Sequence, residues 1–235
     1  MTELPLTGER TVPDVPEENY WFRRHEAAYR FARERVRGRV LDVGSGEGYG
    51  AAMLAETTDV VATELDETSA RHARSRYRSV PVVRGDACHL PFRSERFDAI
   101  VAMQVLEHLW CPERFVERAR ELLTPRGVLV LSTPNRPTFS PDGILNPFHT
   151  HEYTSAELAE LLGRAFHHVE VRGVRPGIYL RSLDVLAAGS LQHLLMRTQL
   201  RELGSKIRIG VGLVRPRHFT IGEAEGSLDL LAVAS

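Results

Sequence analysis

The sequence predicts a doubly wound α/β fold, a parallel sheet with helices on both faces. Three observations carry the prediction. Short apolar strand segments alternate with helical segments from residue 39 to residue 164, a glycine-rich turn joins the first strand to the helix after it, and no 20–50-residue repeat or low-complexity tract interrupts the pattern. At 235 residues, 43% hydrophobic and 26% charged, with 18 Gly and 13 Pro, the chain has the composition of one globular domain and not of a disordered or collagen-like one.

Taken in order, residues 1–19 carry three prolines and several acids and read as an irregular arm. From Tyr20 to about Val36 the residues Phe22, Ala27, Ala28, Phe31 and Ala32 share a broad face, so this segment reads as a helix. Strand Arg39–Val43, loop Gly44–Gly48 and helix Tyr49–Glu56 follow, then strand Val60–Glu64 and a helix over about Glu67–Tyr77. A third strand is expected near Val80–Arg84, a fourth at Phe97–Met103, a helix at Pro112–Leu123 and a fifth strand at Gly127–Thr133. Beyond a Pro/His-rich loop, Pro134–Tyr153, come a helix at Ser155–Arg164, a strand near His168–Gly173, a helical stretch at about Arg181–Leu203 and a last strand at Ser227–Ala234. The expected organisation is one domain over 1–235: an N-terminal arm and lid helix (1–36), a ligand-binding core (37–171), a helical insertion (172–226) and the last strand (227–235).

Charge and cysteine usage narrow the function classes. Lys+Arg number 30 against 31 Asp+Glu, a net charge of −1, so nucleic acid is not favoured as a partner. A local exception is the stretch Arg172–Arg217, with nine basic residues against Asp184 and Glu202, which reads as a solvated or homodimer-forming face or as a patch for an acidic or extended substrate. The two cysteines, Cys88 and Cys111, are expected to form neither a disulfide framework nor a metal pair, which suits a reducing compartment. The first residues, Met1-Thr2-Glu3-Leu4-Pro5, lack a basic and apolar leader, and no apolar run approaches the roughly 18 residues of a membrane span. The expectation is a cytoplasmic protein with no membrane partner.

The glycine loop carries the first chemical signal. Backbone can approach a ligand closely there, and the following helix points its N–H groups at it. The spacing is Gly44-x-Gly46-x-Gly48, with Tyr49 where a dinucleotide fingerprint needs its third glycine, and Asp42 precedes the first glycine by two. A buried carboxylate there repels a pyrophosphate and attracts an ammonium or sulfonium, by about a few kcal/mol at reduced dielectric. S-adenosylmethionine carries both cations. Glu64, at the end of the second strand, is placed to accept hydrogen bonds from ribose hydroxyls.

The run Val40-Leu41-Asp42-Val43-Gly44-Ser45-Gly46-Glu47-Gly48 resembles the first motif of class I S-adenosylmethionine-dependent methyltransferases, and Glu64 matches their second. Gly85-Asp86-Ala87 followed by Leu90-Pro91-Phe92 is similar to their adenine-contacting segment, and Phe97-Asp98 with Ile100-Val101 to their fourth strand. The resemblance covers roughly Arg39 to Arg164. It implies a Rossmann-like sheet with an antiparallel last strand, S-adenosylmethionine as cofactor, and Asp42, Gly44, Gly46, Gly48, Glu64, Asp86, Ala87 and Gln104 as cofactor-binding residues. Tyr20, Trp21 and His25 are either packing residues of the first helix or a lid over the methionine end of the cofactor; as a lid, Tyr20 and His25 join the binding set.

What is methylated is read after the fourth strand, at Gln104-Val105-Leu106-Glu107-His108-Leu109. The Asn-Pro-Pro-aromatic signature of amino methyltransferases is absent there, and Cys111-Pro112 reverses the Pro-Cys of cytosine C5 enzymes. The Glu-His pair resembles the Glu-x-x-Glu-His element of metal-dependent ubiquinone-pathway and small-RNA 2′-O-methyltransferases. This resemblance implies a divalent ion such as Mg²⁺ on Glu107, His108 and His149, with those three residues catalytic. Gln104 departs from the pattern, where an acid is usual, although an amide oxygen is still a hard ligand. His151 is an alternative base or an exposed loop residue. The stretches from Gly8 to His25 and Asn146 to Thr154 resemble methyltransferases of polymethylated polysaccharide gene clusters, implying an oligosaccharide partner and transfer to the 1-hydroxyl of a short 3-O-methylated mannoside. The alternatives are methylation of a small phenol or quinone, an RNA 2′-hydroxyl, or cofactor binding without turnover.

Overall fold

A computed structural model describes residues 11–13, 15–181 and 212–235. Its sheet has eight strands in the order β3-β2-β1-β4-β5-β8-β6-β7. These are β1 Arg39–Val43, β2 Asp59–Glu64, β3 Val82–Arg84, β4 Phe97–Met103, β5 Leu123–Pro134, β6 Val169–Pro176, β7 Phe219–Gly222 and β8 Asp229–Ala234. The helices are α1 Asn19–Arg33, α2 Tyr49–Leu54, α3 Glu67–Arg76, α4 Pro112–Leu122, the single turn α5 Arg136–Phe139, and α6 Ser155–Gly163. Strands β1 to β5 pair in parallel, whereas β8 inserts antiparallel between β5 and β6. Because β1 and β4 are neighbours with β2 and β5 outside them, the crossovers diverge at their C-terminal ends, where an open α/β sheet leaves a crevice for ligands.

Successive side chains of a strand face opposite sides, so the central strands feed two cores. Val40, Ala99 and Val101 pack under α1 and α2 with Tyr29, Phe31 and Leu54, while Leu41, Ile100 and Leu129 pack against Phe115 and Leu122 of α4 and Leu158 and Leu162 of α6. Local signals set the helix ends. Asp66 caps α3 by accepting from Ser69 N, and Thr154 with Glu157 forms a reciprocal capping box on α6. Arg24 of α1, 1% exposed, donates to Asp229 at the start of β8, so the first helix is pinned to the last strand.

The expected parallel core and antiparallel last strand are present, and the differences lie at edges. Strand β5 starts at Leu123, not Gly127: Leu123 pairs with Phe97, a bulge follows, and Val128 resumes the ladder opposite Ala99. The segment 172–226, expected as a helical insertion, begins inside β6 and contains β7, which pairs antiparallel with β6 from Gly173↔Gly222 to Pro176↔Phe219. Strand β7 is four residues long with Thr220 and Ile221 both exposed, so it lacks the alternation that marks a strand in sequence. All of the expected helical stretch Arg181–Leu203 after Arg181, and residues 1–10 of the arm, lie outside the described residues.

Candidate active site

The cofactor half is built on the turn after β1. Gly44, Gly46 and Gly48 have φ of 68°, 55° and 100°, the left-handed region that favours glycine. A Cβ on Gly44 would meet Val105 Cγ2 at 2.6 Å and one on Gly48 would meet Ala73 Cβ at 2.8 Å, whereas at Gly46 it meets nothing within 4 Å. Two of the glycines therefore allow close packing, and Gly46 faces open space where a ligand can lie. Glu47, 1% exposed, accepts from Tyr77 Oη at 2.9 Å and sits 3.1 Å from His72 Nε2, fastening the loop to α3.

Three carboxylates stand at the C-terminal ends of β1 and β2 and just after β3. Asp42 is fully buried, and its only hydrogen-bond partner among the described residues is the Tyr29 phenol, which donates at 3.3 Å to Oδ1. Burial pushes its carboxyl up to about 8, against the hydrogen bond from Tyr29. Glu64 accepts from Gly46 N at 2.7 Å and Asp66 N at 2.8 Å, so it shapes the glycine turn and keeps a second lone pair on each oxygen. Asp86 accepts from Cys88 N at 2.9 Å and lies 2.9 Å from His89 Nδ1, contacts that hold it below the usual carboxylate range; Ala87 opens the 3-10 turn Ala87–His89 beside it. Among the described residues Ser45 Oγ and Thr63 Oγ1 are buried without a partner. A buried carboxylate short of partners, orphaned hydroxyls and an open glycine cradle fit a polar, cationic nucleoside ligand.

The acceptor half starts where β4 ends. Gln104 has φ 55°, unusual for a non-glycine residue, and is locked there by its N donating to Ser132 O at 2.9 Å and its Nε2 to Ser132 Oγ at 3.1 Å. That reversal swings the chain into the 3-10 turn Leu106–His108. Glu107 is 1% exposed; burial pushes it up to about 8, partly offset by hydrogen bonds that include Thr133 Oγ1 at 3.0 Å. The loop that follows α5 is stitched onto this turn, with Thr150 N donating to Glu107 O at 2.7 Å and Thr150 Oγ1 to Leu109 O at 2.8 Å. His149 is thereby brought to His108, ring centroids 5.1 Å apart, and one ligand atom from each of Glu107, His108 and His149 lies within 4.8 Å of the others. His108 Nδ1 lies 3.0 Å from Phe148 O. A carbonyl only accepts, so Nδ1 carries the proton and Nε2 presents a lone pair. The cluster can hold a divalent cation or, without one, supply a base.

Other expectations fall elsewhere. Tyr20, 3% exposed, packs edge-on against Trp21 and Phe219, and His25 lies 3.3 Å from Thr11 Oγ1 with its imidazole pushed down to about 4 by burial. His151 is exposed and stacks edge-on against Tyr153. Cys88 and Cys111, expected to be unpaired, are joined in a disulfide with Cα atoms 6.4 Å apart. Spacing along the chain hides this pairing, which arises because the turn after β3 packs on the N-terminus of α4. No helix among the described residues is long and apolar enough to cross a membrane. Residues the sequence reading left without a role are Tyr29, Thr133 and Glu152; for Glu152 the available signal was the i, i+3 spacing from His149.

A family model described as a methyltransferase domain matches residues 41–131. A probable S-adenosylmethionine-dependent methyltransferase of Mycolicibacterium smegmatis is 42% identical over 243 residues, covering 98% of this chain and 95% of its own. A ubiquinone biosynthesis O-methyltransferase of Azorhizobium caulinodans is 33% identical over 42% of this chain and 41% of that protein. Among solved structures, a Thermotoga maritima protein described as an S-adenosylmethionine-dependent methyltransferase, possible histamine N-methyltransferase, shares the fold with a TM-score of 0.64 at 20% identity, covering 91% of this chain and 92% of that one.

Proposed function

The chain belongs to the S-adenosylmethionine-dependent methyltransferases, and from that premise we propose that it methylates a sugar hydroxyl, the 1-hydroxyl of a short 3-O-methylated mannoside. The observation that carries the O-methyl reading is the convergence of Glu107, His108 and His149 at the end of β4, beside the glycine turn. An aliphatic hydroxyl is a poor nucleophile at neutral pH until a base removes its proton or a cation lowers its pKa. The cluster offers both devices.

S-adenosylmethionine supplies the methyl group and leaves as S-adenosylhomocysteine. Asp42 would be the counter-charge for its cationic end, Gly46 leaves open space beside the turn, and Glu64 and Asp86 would accept hydrogen bonds from its ribose hydroxyls and its adenine amino group. Mg²⁺, held by Glu107, His108 and His149, would supply Lewis-acid activation. Glu107 would hold a cation as the carboxylate, because the charge that burial disfavours would then be balanced. With no cation at the cluster, His149 would be the base that takes the acceptor proton; with one bound there it would be a ligand instead, and the seam between 146–151 and 107–109 keeps it at the cluster in either case. The Cys88–Cys111 disulfide ties the Asp86 turn to the segment that carries His108, fixing the distance between the cofactor and acceptor halves.

A second reading, transfer to a small phenol or quinone, is favoured by the 33% identity to the ubiquinone biosynthesis O-methyltransferase. One assay separates the two: labelled methyl transfer from S-adenosylmethionine to short manno- and gluco-oligosaccharides, free and 3-O-methylated, and to catechols, each with Mg²⁺ and with EDTA. Transfer to the methylated mannosides that EDTA abolishes is expected. Transfer to catechols with none to any sugar selects the second reading.

A further inference from the structure

Resting on that reading of the site, we propose that Glu152 is the positioning residue of the cluster, holding His149 through its Nδ1 so that Nε2 faces Glu107 and His108. Glu152 is completely buried, and among the described residues its side chain accepts only from His149 Nδ1, at 2.8 Å, and Asn146 N, at 3.3 Å. Among the described residues no arginine or lysine pairs with it: Arg136 donates Nη1 to the Glu152 backbone carbonyl and Nη2 to Glu157. Among the described residues its second oxygen, Oε2, is buried without a partner. A buried acid with one histidine contact and an orphaned oxygen is expensive for a purely packing role, which glutamine or leucine fills at lower desolvation cost.

The two histidines of the cluster are oriented by the same device from different sources. His108 presents Nε2 because a backbone carbonyl, Phe148 O, takes its Nδ1 proton. At His149 the group facing Nδ1 is the Glu152 carboxylate. Its ring is also confined by Phe139, centroids 5.4 Å apart and 31° between planes, and by the edge of His108. Carboxylate–histidine pairs of this kind fix the tautomer and ring rotation of a metal-binding or proton-accepting imidazole.

The test is two-bond ¹H–¹⁵N NMR of the His149 ring in the full chain without added metal, at a pH where the spectrum shows a neutral ring, together with Mn²⁺ affinity. Wild type is expected to carry its proton on Nδ1. Glu152→Ala is expected to lose that single tautomer and to weaken Mn²⁺ binding about 10–100-fold, with S-adenosylmethionine affinity unchanged, whereas Glu152→Gln, whose amide oxygen still accepts from Nδ1, is expected to keep the tautomer. A proton on Nε2 in the wild type, or an unchanged tautomer in folded Glu152→Ala, overturns the assignment, and the wild-type spectrum decides even if a variant fails to fold. If wild type methylates no sugar and binds no Mn²⁺ but the Nδ1 tautomer is still lost in Glu152→Ala, the positioning role stands and the metal-assisted sugar reading fails.

Discussion

Two buried carboxylates, Asp42 and Glu107, stand at the C-terminal ends of the adjacent strands β1 and β4, and burial pushes both up to about 8. Their surroundings differ. Asp42 touches one phenol and lies beside a turn whose backbone is shaped by glycines, so the space beside it is made by absent side chains. Glu107 lies among Thr133, His108 and His149, side chains that converge from three segments. The same electrostatic penalty thus prepares one carboxylate to meet a cation on a ligand and the other to meet a metal ion or a transferred proton. Val105, close behind Gly44, is the contact where the two halves touch.

The largest effect is expected from breaking the acceptor half alone. Glu107→Gln should lower single-turnover methyl transfer about 10²–10⁴-fold, the range for a lost acid–base or metal-binding group, while calorimetric affinity for S-adenosylmethionine changes little. In the cofactor half, Asp42→Asn should do the opposite. Losing the counter-charge weakens cofactor affinity about 10–100-fold, and saturating cofactor should restore most of the transfer rate.

The division between the halves explains how much was legible in the sequence. The cofactor half is specified locally: a strand, a glycine spacing and an acid two residues before it lie within ten residues, and the structure places Asp42, Gly44, Gly46 and Glu64 around one turn. The acceptor half depends on a long-range seam, Thr150 to Glu107 and Leu109, which periodicity does not encode; resemblance, not spacing, pointed to His149. Glu152 and Tyr29 escaped because a buried acid and a buried phenol look ordinary in sequence until their single partners are seen. The disulfide and β7 escaped for the same reason, since both are products of tertiary packing.

A pH titration sharpens the comparison. In the free protein Asp42 is protonated below about 8, and the carboxylate is the form that attracts a cation. Cofactor affinity should therefore rise with pH, about tenfold per unit below 8, and level off above it, with a proton released on binding at pH 7. The raised carboxyl also means that the cofactor-free fold loses stability as pH rises from the ordinary aspartate range through about 8. Tyr29→Phe removes the hydrogen bond that lowers this value and should move the inflection upward, measured by thermal shift with and without cofactor.

The smallest effect on chemistry is expected from the covalent tie between the halves. Cys88→Ser opens a crosslink between residues 23 apart, which should lower stability by about 3 kcal/mol and Tm by roughly 6–12 °C, read by calorimetry, with a modest change in rate at low temperature.

The most direct measurement is cofactor affinity and single-turnover methyl transfer on the same preparations of wild type and His149→Ala, at saturating S-adenosylmethionine and a 3-O-methylated mannoside acceptor. Separable half-sites predict unchanged cofactor affinity in the variant and loss of most transfer, not recovered at any cofactor concentration. Joint loss of cofactor binding and transfer in folded His149→Ala would contradict that account and assign His149 to the scaffold.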